Sequence, residues 1–415
     1  MPDARAEHNA SAEPRHPNPL VTAGERFSDD PRGARVSTLL GNGPFGLLPK
    51  RKPHKKRDRH SRKRVAFFRY GYYDVAFQFF VEHVLDADFV ALPQATKRTI
   101  ELGSRHSSDF VCAPFKHILG DYIEALELGA DVLVQFAGPC RLGYYGELQE
   151  SILRDLGYDF DMLNFATVTG KPMRDYITIC QKKINPNVSI PKGIRNMLAT
   201  FKLIECLDEV NDFYLANAGF EVERGSFKRT RDEYFDAMRA ATCDRDIVET
   251  QRAYLARFRA LPTAKPANPV RIGLVGEYFT AIDSASNLGV EKKLLNMGVE
   301  LHRMLNMTNR NLHYNEKNLR ASISDYVTYD MGPTSSLTIA AALKYAEEGF
   351  DGVVHLKSSG CTPEVDCVPV LQRISRDEKM PILYLSYDSQ TSDTGLDTRL
   401  EAFYDMLAIK KEKTA

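Results

Sequence analysis

The chain has 415 residues, of which 43% are hydrophobic and 27% are charged. This is the composition of a globular protein with enough chain for two or three domains. No apolar run approaches the roughly 18 residues of a membrane-spanning helix, so the sequence excludes a membrane protein. Basic and acidic residues balance at 55 each, but residues 1–64 carry a net charge of +8 and the remainder −8. A globally basic, nucleic-acid-binding surface is therefore not expected on the folded part.

Residues 1–64 predict a disordered basic tail. They contain eight of the 21 prolines, and ten of the fifteen positions from Lys50 to Arg64 are lysine or arginine. Low hydrophobicity and like-charge repulsion oppose folding of such a segment. Gly41–Gly46 formally match the dinucleotide-binding motif G-x-G-x-x-G, but no strand precedes them, as that motif requires. A solubilising tail or a misplaced start codon is favoured over a segment that binds nucleic acid or polyphosphate.

From Val65 onward, β-rich runs alternate with helical patterns. Several of the runs are apolar on both faces, which is typical of a parallel sheet covered by helices. Helices are predicted over Phe115–Leu126 and Leu148–Leu156, with Gly129 and Gly157 at their ends. The predicted strands are Val65–Tyr70, Phe110–Val111, Val132–Phe136, Ile272–Val275, Val353–Leu356 and Ile382–Leu385.

The pattern changes between Met173 and Leu261, where long amphipathic helical repeats replace the strand signal. A proline-punctuated linker over residues 262–269 follows, and strand–helix alternation then resumes. The sequence therefore predicts the α/β class with two α/β domains. Their bounds are 65–170 for the first domain, 171–262 for a helical segment and 263–415 for the second domain.

Three of the seven cysteines, Cys112, Cys140 and Cys361, follow predicted strands and precede predicted helix starts. In open α/β sheets, this edge is where ligands bind. It is also where a helix N-terminus stabilises a thiolate. The other four cysteines are expected to be buried packing residues: Cys180, Cys206, Cys243 and Cys367. An odd number of cysteines without a secretory signal favours a reducing compartment over a disulfide framework.

Taken alone, the three strand-end cysteines leave several interpretations open. Thiolate ligands from separate loops suit an iron–sulfur cluster or zinc better than a hard cation. Structural zinc sites usually contain closely spaced cysteine pairs, and this chain has none. Chance combined with ordinary packing explains three such cysteines about as well.

The residues around these cysteines resemble those of a known family. The resemblance spans roughly residues 65–408, and it is to the proteins related to 2-hydroxyacyl-CoA dehydratase subunits and to their activase-associated relatives. It is carried by Cys112-Ala-Pro-Phe-Lys-His-Ile-Leu-Gly120, Gly138-Pro-Cys-Arg-Leu-Gly-Tyr-Tyr145, Gly276-Glu-Tyr-Phe279, Gly360-Cys-Thr-Pro-Glu364, Leu385-Ser-Tyr-Asp-Ser389 and Thr398-Arg-Leu-Glu-Ala-Phe403.

This resemblance implies two flavodoxin-like (Rossmann-like) domains that hold an iron–sulfur cluster in the cleft between them. Cys112, Cys140 and Cys361 match the family's ligands, and the cluster is a [4Fe–4S] or a double-cubane type. The implied partner is an ATP-hydrolysing activase of the sugar kinase/actin superfamily, which delivers a low-potential electron. A CoA-linked or small-molecule substrate, a homo- or heterodimer and a cytoplasmic location are expected, with no membrane or clear nucleic-acid partner.

The sequence lies closer to the activase-related proteins than to the dehydratase subunits, so turnover of a substrate does not follow from the resemblance. A non-catalytic cluster carrier or assembly partner, and a three-thiolate zinc or structural protein, are the alternatives. Three residues around Cys140 are expected to approach the cofactor: Gly138, Arg141 and Gly143. Candidate catalytic residues are Lys116, which could neutralise a cluster's negative charge or contact a phosphate, and Glu277 and Glu364, which could be acid–base groups. A solvated helix lysine and helix-capping carboxylates are the competing interpretations.

Overall fold

A computed structural model describes residues 62–136, 140, 145–165, 170–312 and 316–414. These residues belong to one compact unit. Nearly all of the predicted tail, residues 1–64, lies outside the described residues. The same holds for Gly138, Arg141 and Gly143.

The first sheet contains four parallel strands in the order β2-β1-β3-β4. Val65 of the inner strand β1 pairs with Phe89 on one side and Val132 on the other. In this doubly wound sheet, successive strands are added on one side of β1 and then on the other, so the strand order reverses between β1 and β3. In open α/β sheets, ligands bind at this switch point. The strands are β1 Arg64–Phe67, β2 Asp88–Phe89, β3 Val132–Gln135 and β4 Asp161–Asn164.

The helices of this part of the chain form the first lobe together with the sheet. The two predicted helices are present as α3 and α4, whereas α1 and α2 were not predicted. Pro114 lies in the first turn of α3, where its missing N–H costs nothing, and Gly129 beyond its end has a positive φ of +89°. The helices are α1 Asp74–Phe79, continued by a π-helical turn Phe80–Val84, then α2 Lys97–Arg105, α3 Ala113–Glu127 and α4 Tyr145–Asp155.

The predicted helical segment is present, and it shares its core with the first sheet. One hydrophobic cluster runs from Val65 in β1 to Phe258 in the last of these helices. The longest of them, α6, also contributes Leu215 to the core of the second sheet. The helices are α5 Met173–Lys183, α6 Ile190–Asn217 with a 3-10 turn Ala218–Phe220, α7 Ser226–Arg239 and α8 Asp244–Ala260.

The second sheet repeats the topology of the first, with four parallel strands in the order β6-β5-β7-β8. With its helices it forms the second lobe. The α/β class with two parallel sheets is thereby confirmed. The strands are β5 Arg271–Gly276, β6 Glu300–Arg303, β7 Gly352–Ser358 and β8 Ile382–Tyr387. The helices are α9 Tyr278–Ile282, α10 Val290–Asn296, α11 Glu316–Ser322, α12 Gly332–Glu347, α13 Thr362–Asp366, α14 Val368–Asp377 and α15 Leu396–Thr414.

The predicted strand at Phe110–Val111 is wrong. These residues form a turn that leads into α3, and the Phe110 side chain is 95% exposed. Strands β2, β4 and β6 were not predicted, because each lies at an edge or outer position of its sheet and begins with an acidic residue. Within the described ranges, no helix is both long enough and apolar enough to cross a bilayer.

Gly276, the last residue of β5, permits close packing between β5 and β7, where the strand order of the second sheet reverses. Its φ is +134°, and a Cβ atom there would lie 1.9 Å from the carbonyl oxygen of Leu356 in β7. We expect Gly276→Ala to lower the free energy of unfolding by at least about 3 kcal/mol, measured by denaturant titration. Gly289→Ala is the control, because Gly289 also has a positive φ but no atom within 4 Å of the added Cβ; a loss of about 1 kcal/mol is expected there. Equal losses in the two variants would contradict the packing argument.

Candidate metal centre

The sequence predicted that Cys112 follows a strand. In the structure no strand precedes it, and Cys112 lies at the N-terminus of α3. Because α3 leads into β3 and runs antiparallel to it, this N-terminus lies at the carboxyl edge of the first sheet. The Phe115 backbone N–H and the Tyr145 hydroxyl hydrogen-bond to the sulfur, which favours the thiolate. Burial outweighs both contacts and raises the pKa of the Cys112 thiol to about 11.

Cys361 occupies the equivalent position in the second lobe, after β7 and directly before α13. Its side chain is 8% exposed, and its backbone N–H donates to the Ser358 carbonyl over 3.0 Å. Burial raises the pKa of the Cys361 thiol, and the nearby Glu277 carboxylate raises it further. The backbone N–H of Glu364 acts in the opposite direction by hydrogen-bonding to the sulfur.

The loops that carry Cys112 and Cys361 are in contact. The Ala113 N–H donates to the Ser358 hydroxyl over 2.9 Å, and a Cβ atom at Gly360 would lie 3.5 Å from the Cys112 Cα. Electrostatic repulsion between Cys112 and Cys361 raises the thiol pKa of Cys361. The same kind of repulsion from Cys140 raises the thiol pKa of Cys112. Cys112 therefore lies within electrostatic range of both other cysteines of the predicted set.

Cys140 is partly buried, and its expected neighbours Gly138, Arg141 and Gly143 lie outside the described residues. A cavity of about 420 Å³ lies beside the strand that leads to it. Aromatic side chains from the ends of three strands line this cavity: Phe67 of β1, Phe136 after β3 and Phe165 after β4. The volume is that of a site for a small organic molecule.

Glu277, a candidate acid–base group, caps helix α9. Its carboxylate accepts hydrogen bonds of 2.8 Å from the N–H groups of Phe279 and Thr280 and from the Thr280 hydroxyl. Burial is the main reason why the pKa of Glu277 is raised. Because Glu277 also acts electrostatically on Cys112 and Cys361, it adds negative charge to the cysteine site.

The other two candidate catalytic residues are also buried. Lys116 is only 5% exposed, and its ammonium group donates to the Asp109 carbonyl over 3.4 Å, so the solvated-lysine interpretation is wrong. The Glu364 carboxylate is fully buried and accepts hydrogen bonds from Thr338 and His355. Both side chains thus hold backbone and helix elements around the cysteines.

Among the four cysteines expected to be packing residues, Cys180, Cys206 and Cys367 are buried, whereas Cys243 is exposed at the start of α8. Cys243 was assigned to the core because of its helical surroundings, but it precedes the helix. Sequence reasoning also missed Ser358 and Tyr145 as contacts of the Cys112 loop. For Ser358, the available signal was a hydroxyl at the end of β7, three residues before Cys361.

The described geometry provides three cysteines from separate loops, a buried carboxylate, and an apolar cavity lined by Phe136, which follows β3 on the way to Cys140. Comparisons of the chain with protein-family models and with curated proteins identified no relative.

The Ser358 hydroxyl is the described acceptor for the buried Ala113 N–H at the junction of the Cys112 and Cys361 loops. We expect Ser358→Ala to lower the free energy of unfolding by about 1–3 kcal/mol, because a buried donor is left unpaired. Ser359→Ala is the matched control, since the Ser359 side chain is exposed. Thermal and denaturant unfolding measure both variants, and an unchanged stability of Ser358→Ala would refute this role.

The reactivity of the metal-free thiols follows from their burial. Cys243 is exposed and should react first with iodoacetamide, whereas Cys112, with a pKa of about 11, should react slowly at pH 8. Only the thiolate reacts, so the Cys112 rate should rise about tenfold per pH unit until the pH nears that pKa. Mass spectrometry of alkylated peptides gives the rate at each site. A Cys112 rate at pH 7 that equals that of Cys243 would contradict the structure.

Proposed function

We propose that this protein is a cytoplasmic iron–sulfur protein that accepts a low-potential electron from an ATP-hydrolysing activase. The observation that carries the proposal is the convergence of the cysteine loops. Cys112 starts a helix in the first lobe and contacts the loop of Cys361 in the second lobe, and it interacts electrostatically with Cys140. Packing alone does not require the loops of Cys112 and Cys361, which belong to different lobes, to be in contact.

The donor set suits an iron–sulfur cluster. Cys112, Cys140 and Cys361 would supply thiolate sulfur, the ligand such clusters use, and three thiolates leave one iron open to a further ligand. Burial raises the pKa of the Cys112 and Cys361 thiols, so a cluster would have to displace their protons when it binds. When bound, the cluster would supply one-electron chemistry at low potential.

The chain's own groups act on the sulfur ligands from both sides. Phe115 N–H and Tyr145 hydroxyl bond to the Cys112 sulfur, and Glu364 N–H bonds to the Cys361 sulfur. Hydrogen bonds to sulfur raise the potential of a cluster, whereas a nearby carboxylate lowers it. Glu277 provides that negative charge and is held in place as the cap of α9.

Two observations bear on what receives the electron. The apolar cavity beside the Cys140 strand favours reduction of a small or CoA-linked substrate, and Lys171 in its lining suits an anionic group on that substrate. The 95% exposed Phe110, two residues before Cys112, favours the alternative of a carrier that passes the electron to another protein. Reduction of an added small acceptor that depends on ATP and the activase would show electron transfer. A protein that only carries or delivers a cluster would not catalyse this reduction.

Anaerobic purification tests the cluster directly. Wild-type protein should contain iron and acid-labile sulfide and give an EPR signal after reduction. Cys112→Ala, Cys140→Ala or Cys361→Ala should each remove most of the iron and leave the circular dichroism spectrum unchanged, because each removes one of three ligands. The control is Cys180→Ala, which truncates a buried thiol that packs in the first core. Zinc in place of iron, or full iron content in all three variants, would sink the proposal.

A further inference from the structure

A second group of metal-ligand side chains lies in the second lobe. His355 belongs to β7, Glu364 to α13, and Cys367 separates α13 from α14. All three side chains are fully buried, and one ligand atom from each lies within 4.8 Å of the other two. No sequence motif links these three residues, because a strand and two helix ends bring them together.

The distances among these atoms approach those of a tetrahedral zinc site. His355 Nε2 lies 2.7 Å from Glu364 Oε2, and Cys367 Sγ lies 3.5 Å from the same oxygen and 4.0 Å from His355 Nε2. Zinc at its usual bond lengths holds nitrogen, oxygen and sulfur ligands about 3.4–3.6 Å apart. Side-chain movements of about half an ångström would therefore convert the hydrogen-bonded group into three corners of that tetrahedron.

The charges of the group also suit a divalent cation. A Cys367 thiolate and a Glu364 carboxylate together offset two positive charges, and neutral His355 adds none. A buried cation is then paired within its own ligand set, as burial of charge requires. Cysteine sulfur and histidine nitrogen favour zinc over magnesium or calcium, which prefer oxygen ligands.

Polar atoms next to the group lack partners among the described residues. His355 Nδ1 and the Tyr384 hydroxyl oxygen are buried and form no hydrogen bond there. The Tyr384 ring packs edge-on against the His355 ring, with 5.5 Å between the ring centroids. Unpaired buried polar atoms are uncommon and indicate a missing ligand or water beside them. A cation on His355 Nε2 would not itself pair Nδ1, so the case for the cation rests on the geometry and charge of the three side chains.

We propose that His355, Glu364 and Cys367 bind one thiophilic divalent cation, for which Zn²⁺ is the best fit, at a site that neighbours Cys361 but shares no ligand with the three-cysteine centre. The cation would link β7 to the helices on both sides of Cys367. The proposal does not depend on the iron–sulfur function, because none of these three residues belongs to the predicted cluster ligands.

Binding of the cation displaces protons from His355 and Cys367. In the neutral tautomer of His355 that donates its Nε2–H to the Glu364 carboxylate, the proton must leave Nε2 before a metal can bind there. Binding moves this proton to Nδ1 and releases the Cys367 thiol proton to solvent. One proton is released per metal ion, so the affinity should rise about tenfold per pH unit below the thiol pKa.

Cobalt binding to the full chain tests the site. Metal-free Cys112→Ala/Cys140→Ala protein, which lacks two of the predicted cluster ligands, is titrated anaerobically with Co²⁺. We expect one equivalent to bind with a thiolate-to-cobalt charge-transfer band and tetrahedral ligand-field bands, and Zn²⁺ to displace it. Absence of the band in this protein would overturn the proposal, because the remaining site should be intact.

Variants of the site assign the ligands. In the same background, Cys367→Ser should abolish the charge-transfer band, and Glu364→Gln should weaken Co²⁺ binding at least about 100-fold while it preserves the side-chain shape. The control is Cys180→Ser, a buried thiol in the other core, which should leave the band unchanged. Circular dichroism establishes that each variant is folded. A band that survives Cys367→Ser in folded protein, or unweakened binding by folded Glu364→Gln, would overturn the assignment.

Discussion

The arrangement of the two lobes depends on one buried carboxylate, that of Asp208 in α6. It accepts a hydrogen bond of 3.0 Å from the Tyr72 hydroxyl and another from Tyr73, both in the loop after β1. From the second lobe, the Thr308 N–H and hydroxyl donate to it over 3.1 and 2.7 Å. A buried charge is tolerated only when such donors surround it, so the first lobe, the helical segment and the second lobe must meet at this point. The cysteine loops can face each other only because this junction fixes the lobes.

The sequence predicted those elements whose signal is local. Strands β5 and β7 are interior and apolar on both faces, so their side chains alone indicate a buried parallel sheet. The strands β2 and β6 lie at the edges, where polar residues are tolerated, and the same reasoning found no signal there. The edge strand β8 was predicted because its sequence, Ile382–Tyr387, is apolar, so an apolar local sequence and not sheet position decided which strands were found.

The candidate centre shows the same division. Cys112 was placed correctly near a helix start, because Pro114 marks that start, although the strand assigned before it does not exist. The capping role of Glu277 was a stated alternative, since a carboxylate before a short helix commonly has it. The contact between His355 and Cys367 was not predictable, because it depends on how α13 and α14 pack against β7. The sequence predicted roles that depend on neighbouring residues, such as helix starts and caps. It did not predict contacts between separate helices and strands.

Helix α6 has a mechanical consequence for the cleft. Leu207 packs in the first core and Leu215 in the second, and eight residues of helix separate them by about 12 Å. A rigid rod embedded in both cores resists the hinge rotation by which two-lobed proteins commonly open. Entry of solutes to the cleft must then come from movements of loops at the sheet edges. The separation of the two sheets is thereby set by the helix itself and does not require a bound ligand to close the protein.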